Sequence, residues 1–154
     1  MFKLLVYDFD GVMTDNKVYL DQNGKESVKV NRADGLAISE IKKLKIEQII
    51  LSSEKNVVVL KRAKKLGIHC LYGVKDKKKI LLEYIKEKKI KLEEIGYIGN
   101  DINDLHVIEI VGYSFCPHDA HYTIKSIVNY VFSASGGDGV IRELLDFLNK
   151  SKET

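Results

Sequence analysis

The feature that most constrains this chain is a series of short apolar runs, separated by segments whose apolar residues recur at helical spacing. The runs cover residues 4–7, 46–51, 69–72, 95–98, 113–116 and 130–132. Strands that alternate with helices predict a parallel sheet covered by helices on both faces. We therefore expect an α/β fold, a three-layer Rossmann-like parallel sheet, formed by residues 1–154 as a single domain.

The segments between the runs predict helices and one hairpin. The helical spacing covers residues 33–45, 57–66, 76–88, 104–111, 124–129 and 138–150. Asn23-Gly24 lies between two partly alternating segments, which predicts a β-hairpin over residues 17–30, inserted after the first strand. The stretch from Asp10 to Ser52 is too short for a further domain inserted between the first two parallel strands.

Composition excludes several classes of protein. The 25 Lys and Arg residues against 22 Asp and Glu give a net charge of +3, too small an excess for a dedicated nucleic-acid binder. No apolar run reaches the roughly 18–20 residues that span a bilayer, and an acid at Asp8 comes too early for a signal peptide. Cys70 and Cys116 are too few for a disulfide framework and indicate reduced thiols. We expect a cytoplasmic protein that binds neither nucleic acid nor membrane.

Polar side chains follow several of the predicted strands. They are Asp8, Asp10, Ser52, Ser53, Glu54, Asn100, Asp101 and Asp104, with Lys77 at the start of a helix. Each alone is typical of a helix cap, a turn or a surface lysine. Ligands of open parallel sheets, however, bind outside the carboxyl ends of the strands, and these residues should meet at that edge.

This set of residues indicates phosphate chemistry. Clustered carboxylates repel one another unless a hard cation neutralises them, and a set of oxygen donors without Cys or His suits Mg²⁺. A hydroxyl and a lysine can hold the other oxygens of a phosphoryl group. One aspartate can attack phosphorus to form an aspartyl-phosphate, and a second, two residues on, can protonate the leaving oxygen.

Four motifs resemble those of the haloacid dehalogenase superfamily of phosphohydrolases. Residues 8–15 read DFDGVMTD, Ser52 and Lys77 match the second and third motifs, and residues 99–104 read GNDIND. The resemblance implies that Asp8 is the nucleophile and a metal ligand, and that Asp10 is the general acid/base, with its backbone carbonyl on Mg²⁺. It implies that Ser52 and Lys77 bind the phosphate and that Asp101 is the third metal ligand. The supporting residues would be Gly11, Asn100 and Asp104, of which Asp104 orients Lys77.

Two of these assignments have alternatives within the motifs. Asp101 is favoured as metal ligand because Asn100 is neutral, but the register of the turn could place Asn100 nearest the ion. Ser52 is favoured as the phosphate hydroxyl because it directly follows an apolar run, with Ser53 as the alternative.

The hairpin and the segments at residues 30–35 and 136–143 resemble the capless branch typified by the KDO 8-phosphate phosphatases. That branch forms homotetramers in which a neighbouring subunit closes each active site. Glu54, with Arg62 eight residues later, resembles the 2-keto-3-deoxynononate 9-phosphate phosphatases and the phosphatase module of acylneuraminate cytidylyltransferases. There the arginine reaches the adjacent subunit's site and suits a substrate carboxylate. A surface pair of Glu54 and Arg62 on one helical face is the alternative.

We therefore expect a Mg²⁺-dependent phosphomonoesterase acting on a phosphorylated nine- or eight-carbon 2-keto-3-deoxy sugar acid. Three alternatives are a broad-specificity sugar phosphatase, a phospho-receiver domain and a catalytically idle assembly subunit. A receiver carries its phosphorylated aspartate after a middle strand. The run at residues 46–51 is followed instead by Ser52, Ser53 and Glu54, which argues against a receiver.

Overall fold

The computed structural model describes residues 1–153, and their order of elements confirms the α/β prediction. The strands are β1 (Leu4–Tyr7), β2 (Tyr19–Leu20), β3 (Glu26–Ser27), β4 (Glu47–Leu51), β5 (His69–Leu71), β6 (Ile95–Ile98), β7 (Tyr113–Cys116) and β8 (Tyr130–Val131). The helices are α1 (Arg32–Lys43), α2 (Val58–Leu66), α3 (Lys77–Lys88), α4 (Leu105–Ile108), α5 (Tyr122–Ile127) and α6 (Val140–Glu153). Single 3₁₀ turns cover Leu92–Glu94 and Ile102–Asp104.

Strand β1 lies inside a parallel sheet with the order β5-β4-β1-β6-β7-β8. Tyr7, its last residue, pairs with Ile50 of β4 on one side and with Ile98 of β6 on the other. The carboxyl ends of these three strands are therefore level. The residues that follow them, which include Asp8, Ser52 and Asn100, emerge at one edge of the sheet.

Two apolar cores lie on the two faces of the sheet, as the alternation along β1 requires. Leu5 and Tyr7 point to one core, which is shared with α1, α2 and α6. Leu4 and Val6 point to the other, which α3 and α4 cover. All four side chains are fully buried because both faces of the sheet carry helices. The three-layer prediction is confirmed.

The predicted hairpin is present but shorter than its sequence pattern. Only Tyr19–Leu20 and Glu26–Ser27 pair, in antiparallel register, and a bridge between Thr14 and Val30 closes the base. Asp21 shortens the strands because its carboxylate accepts from the amides of Asn23 and Lys25 and so fixes a wider loop.

The helix predicted over residues 104–111 is wrong in its bounds. The chain forms a 3₁₀ turn at Ile102–Asp104 and only one turn of α-helix after it. The 3₁₀ turn is held by the side chain of Asp104, which turns inward and accepts from the amides of Asn100 and Asp101. Among residues 1–153, no helix has the length and apolar character needed to cross a membrane.

Candidate active site

An open cavity of about 420 Å³ lies at the carboxyl ends of β1, β4 and β6. Its lining includes Asp8, Asp10, Ser52, Ser53, Glu54 and Asn100. Lys77, the first residue of α3, lies beneath the cavity and is almost fully buried. The sheet edge thus brings together the residues that the sequence placed at separate strand ends.

Lys77 is shared between two buried carboxylates. Its Nζ lies 3.1 Å from Asp8 Oδ1 and 2.8 Å from Asp104 Oδ1. The backbone amide of Phe9 also donates to Asp8 Oδ1, over 2.8 Å. A buried ammonium with two carboxylate partners is strongly held, because separating either partner would leave an uncompensated charge away from water.

The pKa values of Asp8, Asp104 and Lys77 are shifted from their ordinary values in different directions. Burial raises the pKa of Asp8 well above its usual range, Asp104 raises it further, and Lys77 opposes both. Burial also acts to raise the pKa of Asp104, but the charge of Lys77 and the hydrogen bonds from Lys77 and Tyr97 lower it overall. Burial acts to lower the pKa of Lys77, and the two carboxylates outweigh that effect and raise it. Lys77 is therefore a cation and Asp104 an anion at neutral pH.

The side-chain amide of Asn100 lies between an oxygen of Asp8 and an oxygen of Asp10. One terminal atom of the amide is 3.0 Å from Asp8 Oδ2 and 3.0 Å from the backbone carbonyl oxygen of Asp10, and with nitrogen at that position the amide donates to both oxygens. When the amide rotates to present its oxygen instead, the three oxygens form a set of donors that repel one another unless a cation lies among them. Neighbouring ligands of an octahedral ion with bonds of about 2.1 Å are about 3.0 Å apart, so the set fits Mg²⁺.

The donors of this set are mixed: one carboxylate, one backbone carbonyl and one amide. No group of three His, Cys, Asp or Glu residues in the described part of the chain is arranged to hold a metal ion. Mg²⁺ takes only one or two carboxylates and keeps several waters, so a single carboxylate with two neutral oxygens remains compatible with it.

The structure places the side chains of the two candidate metal ligands, Asn100 and Asp101, differently. Asp101 Oδ1 accepts from the amide of Ile102 and so caps the 3₁₀ turn, although the residue lines the cavity. Asn100 is buried against Asp8 instead. Gly11 makes this approach possible: at its φ of 82°, a Cβ would lie 1.9 Å from the Asn100 amide.

Asp10 is half-buried at the cavity wall. Burial raises the pKa of its carboxyl above the ordinary value, and Glu54 raises it further, while Thr14 and Lys77 oppose the shift. A raised pKa suits a group that donates a proton near neutral pH.

Both candidate hydroxyls reach the cavity. Ser52 is buried, and its Oγ accepts from the amide of Glu54 over 3.1 Å. Ser53 is exposed, and its Oγ lies 3.5 Å from Asn103 Nδ2. Ser52 is the more firmly placed of the two because burial and its backbone contacts fix its position.

Glu54 and Arg62 do not form a pair on one helical face, so that alternative is wrong. Glu54 precedes α2, and its carboxylate accepts from the amide of Asn56. Arg62 turns toward α1 and donates to the carbonyl of Asn31 over 3.2 Å. It lines a separate shallow cavity with Arg32 and Lys65.

Three residues that line the cavity receive no site role from the sequence: Asn16, Ile102, and Asn103, which is marked there only as a polar residue after the apolar run at residues 95–98. Asn16 follows the first motif with a φ of 66°, a conformation that asparagine adopts more readily than most residues. Ile102 and Asn103 lie inside the motif at residues 99–104. Their positions in the motif were the available signal.

Comparison with known proteins gives consistent results for family and fold. The family model for haloacid dehalogenase-like hydrolases matches residues 12–144. The 3-deoxy-D-manno-octulosonate 8-phosphate phosphatase of Escherichia coli (strain K12) is 36% identical over 147 residues, which are 95% of this chain and 78% of that protein.

Solved structures are also similar. The 3-deoxy-D-manno-octulosonate 8-phosphate phosphatase of Yersinia pestis superposes with a TM-score of 0.94 at 31% identity, over 99% of this chain and 83% of that one. The enzyme of the same description from Moraxella catarrhalis, solved with a magnesium ion, a phosphate ion and KDO, gives 0.93 at 28% identity, over 97% and 87% of the two chains.

Proposed function

The chain belongs to the haloacid dehalogenase-like hydrolases, and from that membership we propose a Mg²⁺-dependent phosphomonoesterase acting on a KDO-type sugar phosphate. One observation carries the proposal. Asp8 contacts Lys77 through one carboxylate oxygen, while its other oxygen faces Asn100 and the carbonyl of Asp10. This arrangement provides a nucleophile between a cation for phosphate oxygens and a set of oxygens that suits Mg²⁺.

The side chains divide the reaction into two steps. The carboxylate of Asp8 attacks phosphorus, the ester oxygen leaves, and an aspartyl-phosphate forms. The carboxyl of Asp10 donates its proton to the leaving oxygen, and then accepts a proton from the water that attacks phosphorus and releases Asp8. Lys77 and Ser52 bind the non-bridging phosphoryl oxygens, with Ser53 at the rim of the same cavity.

Asp8, the carbonyl of Asp10 and Asn100 would hold the metal ion. When bound, Mg²⁺ supplies positive charge that offsets the phosphate and the nearby carboxylates. Asp104 does not reach the ion. It holds the amides of Asn100 and Asp101 and the ammonium of Lys77, and so supports both halves of the site.

The substrate proposed is a 2-keto-3-deoxy sugar acid of nine or eight carbons. Glu54 lines the cavity and can accept from sugar hydroxyls. Arg62 does not line it, so its role in recognising a substrate carboxylate requires a neighbouring subunit. A broad-specificity sugar phosphatase is the alternative if no such contact exists.

We propose a homotetramer in which neighbouring subunits complete the sites, with residues 1–154 acting as one domain. Val18, Tyr19 and Leu20 of the hairpin are 47%, 68% and 67% exposed, which is unusual for three adjacent apolar residues on a monomer. The basic cavity around Arg32, Arg62 and Lys65 complements the acidic cavity of another copy in charge.

We also propose a cytoplasmic location. Cys70 on β5 and Cys116 on β7 are free thiols, and three strands separate them in the sheet, so they cannot pair within one chain. Free thiols of this kind are typical of a reducing compartment.

The proposed function is tested with a panel of phosphate esters and Mg²⁺, including the eight- and nine-carbon 2-keto-3-deoxy acids, other sugar phosphates and p-nitrophenyl phosphate. We expect the sugar acids to give the highest kcat/KM. Similar kcat/KM for every sugar would favour the broad-specificity alternative. The absence of hydrolysis with any ester would favour an idle assembly subunit.

Arg62→Ala tests the contact between subunits. We expect KM for the best sugar acid to rise at least about thirtyfold, because a truncated charged contact at an interface costs about 2–5 kcal/mol. KM for p-nitrophenyl phosphate should not change, since that ester lacks the carboxylate. Lys64→Ala, an exposed cation on the same helix that does not line this basic cavity, is the matched control. An equal loss on both esters would remove Arg62 from substrate recognition.

Asn100→Asp tests the assignment of the metal ligand. A second carboxylate in the set should strengthen Mg²⁺ binding, and we expect the half-activating Mg²⁺ concentration to fall about tenfold. Asp101→Asn is the control, because its amide oxygen can still cap the 3₁₀ turn, and it should leave that concentration unchanged. If Asp101→Asn raises the Mg²⁺ requirement and Asn100→Asp leaves it unchanged, Asp101 is the metal ligand.

A further inference from the structure

A tyrosine hydroxyl is buried directly beneath the proposed active site. Tyr97 lies on β6, is fully buried, and packs its ring into the core that α3 and α4 cover. Its hydroxyl donates to Asp104 Oδ1. A phenylalanine would fill the same apolar space without a polar atom to satisfy, so the hydroxyl is explained by its acceptor and not by packing.

Asp104 receives four hydrogen bonds, two on each carboxylate oxygen. Oδ2 accepts from the amides of Asn100 and Asp101, over 2.9 Å and 3.3 Å. Oδ1 accepts from Lys77 Nζ over 2.8 Å and from the hydroxyl of Tyr97. Asp104 has no exposed surface, so no solvent molecule can replace a lost donor without rearrangement.

Sharing Oδ1 between two donors affects where Lys77 lies. The ammonium is 2.8 Å from Asp104 and 3.1 Å from Asp8, so it sits between the two carboxylates. The Tyr97 hydroxyl satisfies part of the negative charge on Asp104 and thereby weakens its attraction for Lys77. Without that hydroxyl, Lys77 would be the single donor left on Oδ1 and would be drawn toward Asp104, away from Asp8 and the cavity.

We propose that Tyr97 is a positioning residue, whose hydroxyl holds Asp104 so that Lys77 remains shared with Asp8 and available to phosphate. The inference rests on the proposed function, because it concerns the lysine that would bind the phosphoryl group. Burial raises the pKa of Tyr97 well above its ordinary value, and Asp104 and Asp8 raise it further. The phenol therefore stays protonated and remains a donor throughout the working range of pH.

Tyr97→Phe tests the proposal, and the chain offers a matched control. Tyr7 on the neighbouring strand β1 is also fully buried, and its hydroxyl donates to a buried side chain, Gln48, over 2.7 Å. Tyr7 points to the opposite face of the sheet, away from Lys77. Tyr7→Phe therefore removes a buried tyrosine hydrogen bond to a neutral acceptor without touching Asp104.

Both variants should be assayed for thermal unfolding, for p-nitrophenyl phosphate kinetics with Mg²⁺, and for binding of inorganic phosphate by calorimetry. We expect Tm to fall in both variants, and to fall further in Tyr97→Phe because its lost acceptor is charged. Tyr97→Phe alone should weaken phosphate binding and raise KM, each about tenfold, because a hydrogen bond to a charged group is lost. Its kcat should change less than its KM, because Lys77 would contact the phosphoryl group in the bound substrate as well as in the transition state.

Equal phosphate affinity in the two variants would overturn the positioning role, whatever their Tm. If the unaltered protein binds phosphate but hydrolyses no ester, the proposed function fails while the comparison of phosphate affinities still decides the role of Tyr97. If the unaltered protein does not bind phosphate at all, both proposals fail.

Discussion

Asp8→Asn is expected to lower kcat by at least about 10³-fold on every ester, because an amide is a far weaker nucleophile than a carboxylate. The substitution also removes a charged donor from the set that would hold Mg²⁺. The measurement is steady-state hydrolysis of p-nitrophenyl phosphate, together with acid-quenched trapping of ³²P from a labelled ester. Label should remain on the unaltered protein and be absent from the variant.

Two controls keep this result interpretable. The fold of Asp8→Asn is checked by circular dichroism and thermal unfolding, since Asp8 is buried and contacts Lys77. Asp101→Asn changes another carboxylate of the same cavity and should retain its ability to accept label from the ester. Near-normal turnover by Asp8→Asn would refute its assignment as the nucleophile.

Lys77→Met is expected to abolish phosphate binding and to destabilise the protein as well. It leaves Asp8 and Asp104 buried without their common cation, and breaking a buried ion pair in this way costs about 3–5 kcal/mol. The free energy of unfolding, measured in urea with and without Mg²⁺, gives the loss of stability. Calorimetry with inorganic phosphate gives the loss of binding.

A neighbouring lysine and a double variant separate charge from packing. Lys78 is exposed at the next position of α3, so Lys78→Met should change neither stability nor phosphate binding. The double variant Lys77→Met/Asp104→Asn removes one of the two uncompensated charges and should recover part of the stability, but no activity. Undiminished stability of Lys77→Met would show that the lysine does not balance the two carboxylates.

The structure bears on the two rivals outside the hydrolases that the sequence left open. In the receiver arrangement, a strand other than the first would end in the phosphorylated aspartate. Strand β4 ends instead at Ser52 and Ser53, and the aspartate that contacts the buried lysine is Asp8, after β1. The idle-subunit alternative is weakened because Asp8, Asp10 and Ser52 line one cavity and Lys77, beneath it, contacts Asp8.

The sequence by itself determined the fold class and the residues that meet at the sheet edge. The apolar runs at residues 4–7 and 95–98 become fully buried strands because only a sheet covered on both faces can bury every residue of such a run. Parallel pairing then places the residues after β1, β4 and β6 together, whatever the details of the turns. This is why Asp8, Ser52 and Asn100 could be placed without coordinates.

The tertiary structure decided how the neighbouring side chains of the last motif are placed: Asn100 lies beside Asp8, whereas the carboxylate of Asp101 caps the 3₁₀ turn. This placement depends on the turn that Asp104 fixes through two backbone amides, and periodicity does not encode such a turn. The direction of Arg62 toward Asn31, and the bond from Tyr97 to Asp104, join residues far apart in sequence or on separate elements. Strand and helix patterns specify which face a residue lies on, whereas these contacts depend on how the elements pack.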